Sequence, residues 1–341
     1  MGKYYILFGC IAVLIVVLVT RESHFQYVRT ADDRPIVVKD KTSTILFVGD
    51  IMLGRHVENL MREKGNTYPF KGMRDIMTSN HGVVANLEGP IRTAHVQTPS
   101  NTFKFSFASS TPRTLATYNV KVVSLANNHT GDQGQSGYDE TRAFLDGAGI
   151  VSVGHPYGFG DEYVSRFSMG GRSYIFVGFN LTDPNLDTKK ALEFVQSIDV
   201  SQDEYMIALI HGGDEYKLSS NTKQKTFYRG LIDAGVHLVI AHHPHVVEEI
   251  EQYKGKLIFY SLGNFIFDQY FSKDVEEGLT VRMTSTQDEI RYELIPIKGN
   301  HSQPIPMNES EKQIFLKVLA DRSSATLKSS IEKGEIVISG K

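Results

Sequence analysis

His237–His245 reads HLVIAHHPH, an apolar run of strand length that ends in three imidazoles within four positions. A short continuous apolar run bounded by turn residues suits a strand buried on both faces. Three adjacent imidazoles repel one another when charged and are awkward to bury unless they bind something. Ligands of open α/β sheets collect beyond the carboxyl ends of the strands, which is where this run places its histidines.

The same pattern recurs outward along the chain. ILFVG ends at Asp50, VVANL at Glu88, VVSLAN at Asn128 and His129, and MIALI at His211. The apolar runs Ile45–Val48, Val83–Ala85, Val120–Leu125, Met206–Ile210, Val236–Ile240 and Leu257–Ser261 alternate with helix-like stretches. That alternation predicts a layered α/β domain. Helices are expected over Gln135–Asp146, stopped by Gly147-Ala148-Gly149, and over Thr222–Asp233, followed by Gly235. Hairpins are expected for Tyr163–Met169 with Ser173–Phe179 around Gly170-Gly171, and for Leu279–Met283 with Ile290–Ile297. Glu309–Lys317 reads as a surface helix, and the C-terminus as a last short strand.

Taken singly, each polar strand end has an ordinary reading. An Asp or Asn after a strand is commonly a cap or turn, and Glu88 in Leu-Glu-Gly-Pro is a loop residue. Taken together they form a donor set for divalent metal, with Asp50, Glu88, Asn128, His211, His243 and His245 as ligands. Carboxylate, imidazole and amide oxygen donors without thiolate suit zinc, manganese or iron, and two ions are possible. His129 beside Asn128 is then free to act as a general acid, with Asp132 orienting it.

Composition narrows the field. The 341 residues carry a formal charge of −3 and no long Lys/Arg run, which argues against nucleic acid as a partner. The one cysteine, Cys10, lies in the N-terminal apolar run, so the rest of the chain has neither disulfide nor thiolate site. Tyr4–Val19 (YYILFGCIAVLIVVLV) is slightly short of the ~20 residues that span a bilayer, with Tyr4 and Tyr5 suited to the interface. Val-Thr-Arg-Glu after it offers no small-residue cleavage site. The expectation is an uncleaved, single-pass anchor in the cell membrane with the large domain extracellular. Residues 1–21 are the short cytoplasmic end and anchor, 22–43 a linker, 44–300 the domain, and 301–341 a C-terminal extension.

Gly49-Asp50-Ile51-Met52-Leu53-Gly54-Arg55, Asn86-Leu87-Glu88-Gly89-Pro90, Ser124 to His129 and the run from Ala241 through Asp268 resemble the CapA/PgsA family. These are poly-γ-glutamate capsule proteins related to calcineurin-like metallophosphoesterases. The resemblance implies a four-layer α/β/β/α sandwich and an N-terminal transmembrane helix. It also implies partnership with capsule synthase membrane proteins and with poly-γ-glutamate or a similar anionic polymer. Within its motifs, Arg55 is expected to clamp a substrate carboxylate or phosphate, and Asn264 to reach the substrate. Three departures bear on chemistry. Met52 stands where the wider superfamily has a histidine, Glu88 where it has an aspartate, and Gly212 where many relatives have a tryptophan. A thioether is a poor donor for a hard cation. Three functions follow as alternatives: polymer handling at the outer membrane face, metal-dependent hydrolysis of phosphoester or amide bonds, and binding without catalysis.

Overall fold

The computed structural model describes residues 42–339, together with the backbone of Phe25–Val28 and Ile36–Lys39. The strand Ser43–Ile51 shows how the layers arise. Side chains alternate across a strand, so Ile45 and Phe47 face one way and Leu46 and Val48 the other. Ile45 and Phe47 pack with Phe176, Leu209 and Ile240 of a second sheet. Leu46 and Val48 pack instead with Val57 and Met61 of the helix Arg55–Lys64 and with Leu145 of the helix Gly134–Gly147. On the far face of the second sheet, Val177 and Ile210 meet Val195 of the helix Thr188–Ser197 and Phe227 of the helix Thr222–Asp233. The layers therefore run helices, sheet, sheet, helices.

Among the described residues, the first sheet has nine strands. Its main path runs Gln303–Pro306, Glu289–Asn300, Glu277–Ser285, Ser43–Ile51, Gly82–Leu87, Val120–Ser124 and Val151–Val153, with Asn264–Ile266 and Glu335–Ser339 pairing off it. The second sheet has six strands, in the order Ile250–Tyr253, Lys256–Phe259, Leu238–His242, Glu204–His211, Arg172–Asn180 and Ser165–Met169. The central pairings are parallel, so strand ends collect at one edge. Register does the rest. Asp50 lies opposite both Asn86 and Asn264, and His211 opposite His242.

Gly49 permits one of these approaches. A Cβ there would lie 2.0 Å from the Gly263 carbonyl oxygen. That same oxygen accepts the Asp50 N–H at 3.1 Å. No side chain fits where the two strands come this close.

Both expected hairpins form, and the helix expected over Thr222–Asp233 spans those residues. The boundary at residue 300 requires correction. Residues 301–339 are built into the domain: the strands Gln303–Pro306 and Glu335–Ser339 pair with Glu289–Asn300. Leu316, Leu319, Ile331 and Ile336 enter the core between the sheets. The helix expected over Glu309–Lys317 runs on to Arg322; Phe315, Leu316 and Leu319 face inward, while Ile314 and Val318 stay exposed. The stretch read as a linker contains an antiparallel pair, Phe25–Val28 with Ile36–Lys39, which belongs to a unit of its own. The expected anchor, Tyr4–Val19, lies outside the described residues. Among the described residues no helix is long and apolar enough to cross a membrane.

Candidate metal centre

Asp50, Glu88 and His211 are completely buried, and His243 and His245 nearly so. One donor atom each from Asp50, Glu88 and His245 lies within 4.8 Å of the other two. His211 Nε2 is 2.8 Å from Asn128 Oδ1 and 4.0 Å from Glu88 Oε1. The His211 and His243 rings are 4.7 Å apart. Asp50, Glu88 and His245 come together, and Asn128, His211 and His243 lie beside them.

Glu88 shows what such a group is for. Its two carboxylate oxygens are buried and neither has a hydrogen-bond partner among the described residues. A buried carboxylate left unpaired costs several kcal/mol. A divalent cation between Glu88 and its neighbours would satisfy both oxygens, so the donor set fits such an ion. The imidazole Nδ1 of His243 is likewise buried without a partner.

The electrostatics follow from burial and proximity. Burial, reinforced by the Asp50 charge, pushes the Glu88 carboxyl up to about 7. Burial would also raise Asp50, but the His245 hydrogen bond and the charges of His242 and His245 bring it below its ordinary value. Burial depresses His243 to about 4, aided by the His245 charge, and takes His211 well below an ordinary imidazole. Both are therefore neutral near pH 7, the form that binds metal. His245 goes the other way: the charges of Glu88 and Asp50 outweigh its burial and lift it to about 9. A cation beside the carboxylates would compete with that proton.

The supporting shell is largely amide. Asn86 Nδ2 donates to Asp50 Oδ1 at 2.7 Å, and Asn127 Nδ2 donates to Asn86 Oδ1 at 3.0 Å. Neither asparagine stood out in the sequence, although a polar residue inside the apolar run VVANL was the available signal. Asn264 departs from its expected role at the substrate. Its Oδ1 meets His245 Nδ1 at 3.0 Å while its Nδ2 donates to Gln269 Oε1 and to the Val275 carbonyl. With both ends of its amide engaged, it orients His245 instead.

Arg55 is also committed. It pairs with Asp268, and its guanidinium lies 5.1 Å from the Phe105 ring centre and 5.5 Å from that of Phe267. The expected free clamp is closed by a carboxylate of the chain itself, which also accepts the His56 N–H at 3.1 Å. Met52 is buried, and its sulfur faces the Gly54 N–H at 3.1 Å.

His129 and Asp132 are in contact. His129 Nδ1 is 3.0 Å from Asp132 Oδ2, and His129 Nε2 lies 3.8 Å from Glu88 Oε1. Burial would lower His129, but the Asp132 hydrogen bond and the charge of Glu88 raise it above its ordinary value. The Phe105 ring lies 4.2 Å from the His129 ring, tilted by 35°, and Phe105 gives its N–H to Asp132 at 2.6 Å. Backbone strain gathers here too. Arg55, Tyr216, His243 and His245 have φ of 49°, 63°, 101° and 59°. Side-chain-bearing residues hold such angles when their surroundings impose them, commonly at functional sites.

Several known proteins resemble this chain. The chain is 28% identical over 313 residues to the PGA biosynthesis protein CapA of Bacillus subtilis (strain 168), covering 84% of this chain and 80% of that protein. It is 24% identical to the capsule biosynthesis protein CapA of Bacillus anthracis, over 83% of this chain and 74% of the relative. Solved structures of related shape include the purple acid phosphatase PPD1 of yellow lupin, at 10% identity and a TM-score of 0.36, covering 78% of this chain and 53% of that one. A likeness that slight carries no argument. The family model described as bacterial capsule synthesis protein PGA_cap matches residues 44–269, which include the whole donor set, and the chain belongs to that family.

Proposed function

We propose that this chain is a poly-γ-glutamate capsule biosynthesis protein that handles the polymer at the outer face of the cell membrane through a divalent-metal centre. Family membership and the names of its Bacillus relatives support the polymer. The apolar run Tyr4–Val19 supports a single-pass anchor, with the large domain outside and membrane proteins of the capsule synthase as partners. The observation that carries the metal reading is Glu88, wholly buried beside imidazole and amide donors, with both carboxylate oxygens unpaired among the described residues.

Asp50, Glu88 and His245 would hold one ion, and Glu88, Asn128, His211 and His243 a second. Manganese, zinc and iron all suit these donors. When bound, a divalent ion supplies a Lewis acid for an anionic oxygen and makes a bound water more acidic. Burial keeps His211 and His243 neutral and ready to donate. Asn86 and Asn264 fix Asp50 and His245 in place.

Elemental analysis of the purified full-length protein, with Glu88→Gln and His243→Ala beside it, is the direct test. The parent should hold a stoichiometric transition metal and both variants should lose most of it. A metal-free parent after reconstitution with manganese, zinc and iron would sink the reading. Protease added to intact cells should remove the large domain, and its survival would place the domain on the inner side.

A second reading, metal-dependent hydrolysis of a phosphoester or amide, is favoured by the pairing of His129 with Asp132. With Nδ1 held by Asp132, the His129 Nε2 faces Glu88 and is placed to give a proton to a leaving group. Turnover of a generic phosphodiester, lost in both His129→Ala and Asp50→Ala, would support it. Turnover that survives both changes would remove it.

A further inference from the structure

Large aromatic side chains lie exposed to solvent on segments that adjoin the metal centre. Tyr216 is 43% exposed, Phe271 64% and Phe103 76%. Tyr216 lies parallel to the His245 ring at 6.0 Å and edge-on to Phe271 at 5.0 Å, and its hydroxyl accepts from Gln269 Nε2 at 3.1 Å. Near His129, Tyr157 covers Gly131, two residues on: a Cβ on that glycine would lie 2.2 Å from the tyrosine hydroxyl oxygen. Phe103 precedes Phe105, whose ring lies 4.2 Å from that of His129, by two positions.

Rings left in water at this cost in apolar exposure commonly mark a binding surface. Here they adjoin a centre with two buried carboxylates, and the Arg55 guanidinium is already paired with Asp268. Anionic groups of a ligand therefore have the metal centre as their anchor, and the rings have no charge to offer them. What rings do offer is a flat apolar face for methylene groups and amide planes. A small phosphate ester would occupy the centre and leave the rings bare. A long ligand that alternates carboxylates with methylenes and amides would meet centre and rings together.

We propose that Tyr216 and Phe271 on one side, with Phe103 and Tyr157 on the other, form a collar that holds the main chain of an acidic polyamide across the metal centre. This rests on the metal-centred polymer reading given above. The collar assigns specificity by length. Single glutamate reaches only the centre, whereas an oligomer of several γ-linked residues gains the rings as well.

The experiment is calorimetric binding of glutamate and of a γ-linked glutamate decamer to the full-length protein in detergent, manganese-loaded. Phe103→Ala with Phe271→Ala changes two exposed rings and should leave metal content and thermal stability unchanged. The double variant should bind the decamer at least about 10-fold more weakly and bind glutamate as the parent does. Equal decamer affinity in parent and variant would overturn the collar while leaving the metal-centred reading intact. Equal loss for glutamate and decamer would overturn it also, since the rings would then act through the centre. A parent that binds neither ligand when loaded would overturn the polymer reading and the collar together. Tyr216→Phe keeps the ring and removes the hydroxyl, and should retain decamer affinity within about twofold. A larger loss there would assign the effect to the Gln269 hydrogen bond instead of the ring face.

Discussion

Asn264 acts on the centre at one remove. Its amide oxygen sets the His245 ring while its amide nitrogen is tied to Gln269 and the Val275 carbonyl. Groups that orient a metal-bound imidazole typically contribute 10–100-fold to metal affinity. Asn264→Ala should therefore weaken manganese or zinc binding by about that factor in a chelator competition, with an unchanged circular-dichroism spectrum. Unchanged affinity would show that Asp50 alone holds the ring. At this scale the sequence was legible for the donors and nearly silent for their supports. Asp50, Glu88, His211 and His243 end or follow apolar runs, so position marks them. Asn86, Asn127 and Asn264 take their roles from which neighbouring strand faces them, and that is decided by pairing between distant segments.

His237 begins the run that ends in the histidines, yet it serves the opposite end of the sheet. Its Nδ1 accepts the Met206 N–H at 2.9 Å, and its ring stacks on Tyr205 at 4.8 Å. Burial, with the Lys256 charge nearby, depresses it to about 4. A protonated Nδ1 would face that N–H donor to donor. The unfolded chain, with an ordinary imidazole near 6.5, binds the proton more readily. The contribution of His237 is thus complete above pH 6.5 and is lost as pH falls toward 4. The melting temperature should decline over that window, and His237→Asn should flatten the decline relative to the parent. An equally steep decline in the variant would assign the acid sensitivity to other groups. The same strand shows what element-level reading can do. Apolar runs and Gly-Gly turns located the long strands and both hairpins, whereas Ile250–Tyr253 and Asn264–Ile266 are too short to show a period. They are strands because partners from elsewhere in the chain pair with them.

Periodicity identifies strands, but it does not say how they divide between sheets, and the four-layer expectation came from family resemblance. The structure gives the physical basis: Ile45 and Phe47 share a core with Phe176, Leu209 and Ile240 across the sheet interface. The C-terminal residues matter most at this scale. Leu316, Leu319, Ile331 and Ile336 are buried in that inter-sheet core, and Glu335–Ser339 pairs with the long strand Glu289–Asn300. The segment also braces the histidine loop from behind. Arg322 donates to the Val247 carbonyl at 2.7 Å, and the hydroxyls of Ser323 and Ser324 accept the N–H groups of Ile250 and Gln252. Fully burying one such aliphatic side chain contributes about 1.5–3 kcal/mol, so the four together contribute roughly 6–12 kcal/mol. A whole domain is stable by only about 5–15 kcal/mol. Truncation after Asn300 should thus abolish cooperative unfolding and leave an aggregating or dye-binding chain, where a dispensable extension would leave a folded domain. Arg322→Met keeps the apolar stem and the strand pairing but removes the hydrogen bond to Val247. It should fold, melt a few degrees lower and bind metal more weakly than the parent. A soluble truncated chain with parental melting behaviour would return residues 301–341 to the status of an appendage, and parental metal affinity in Arg322→Met would confine their role to the core.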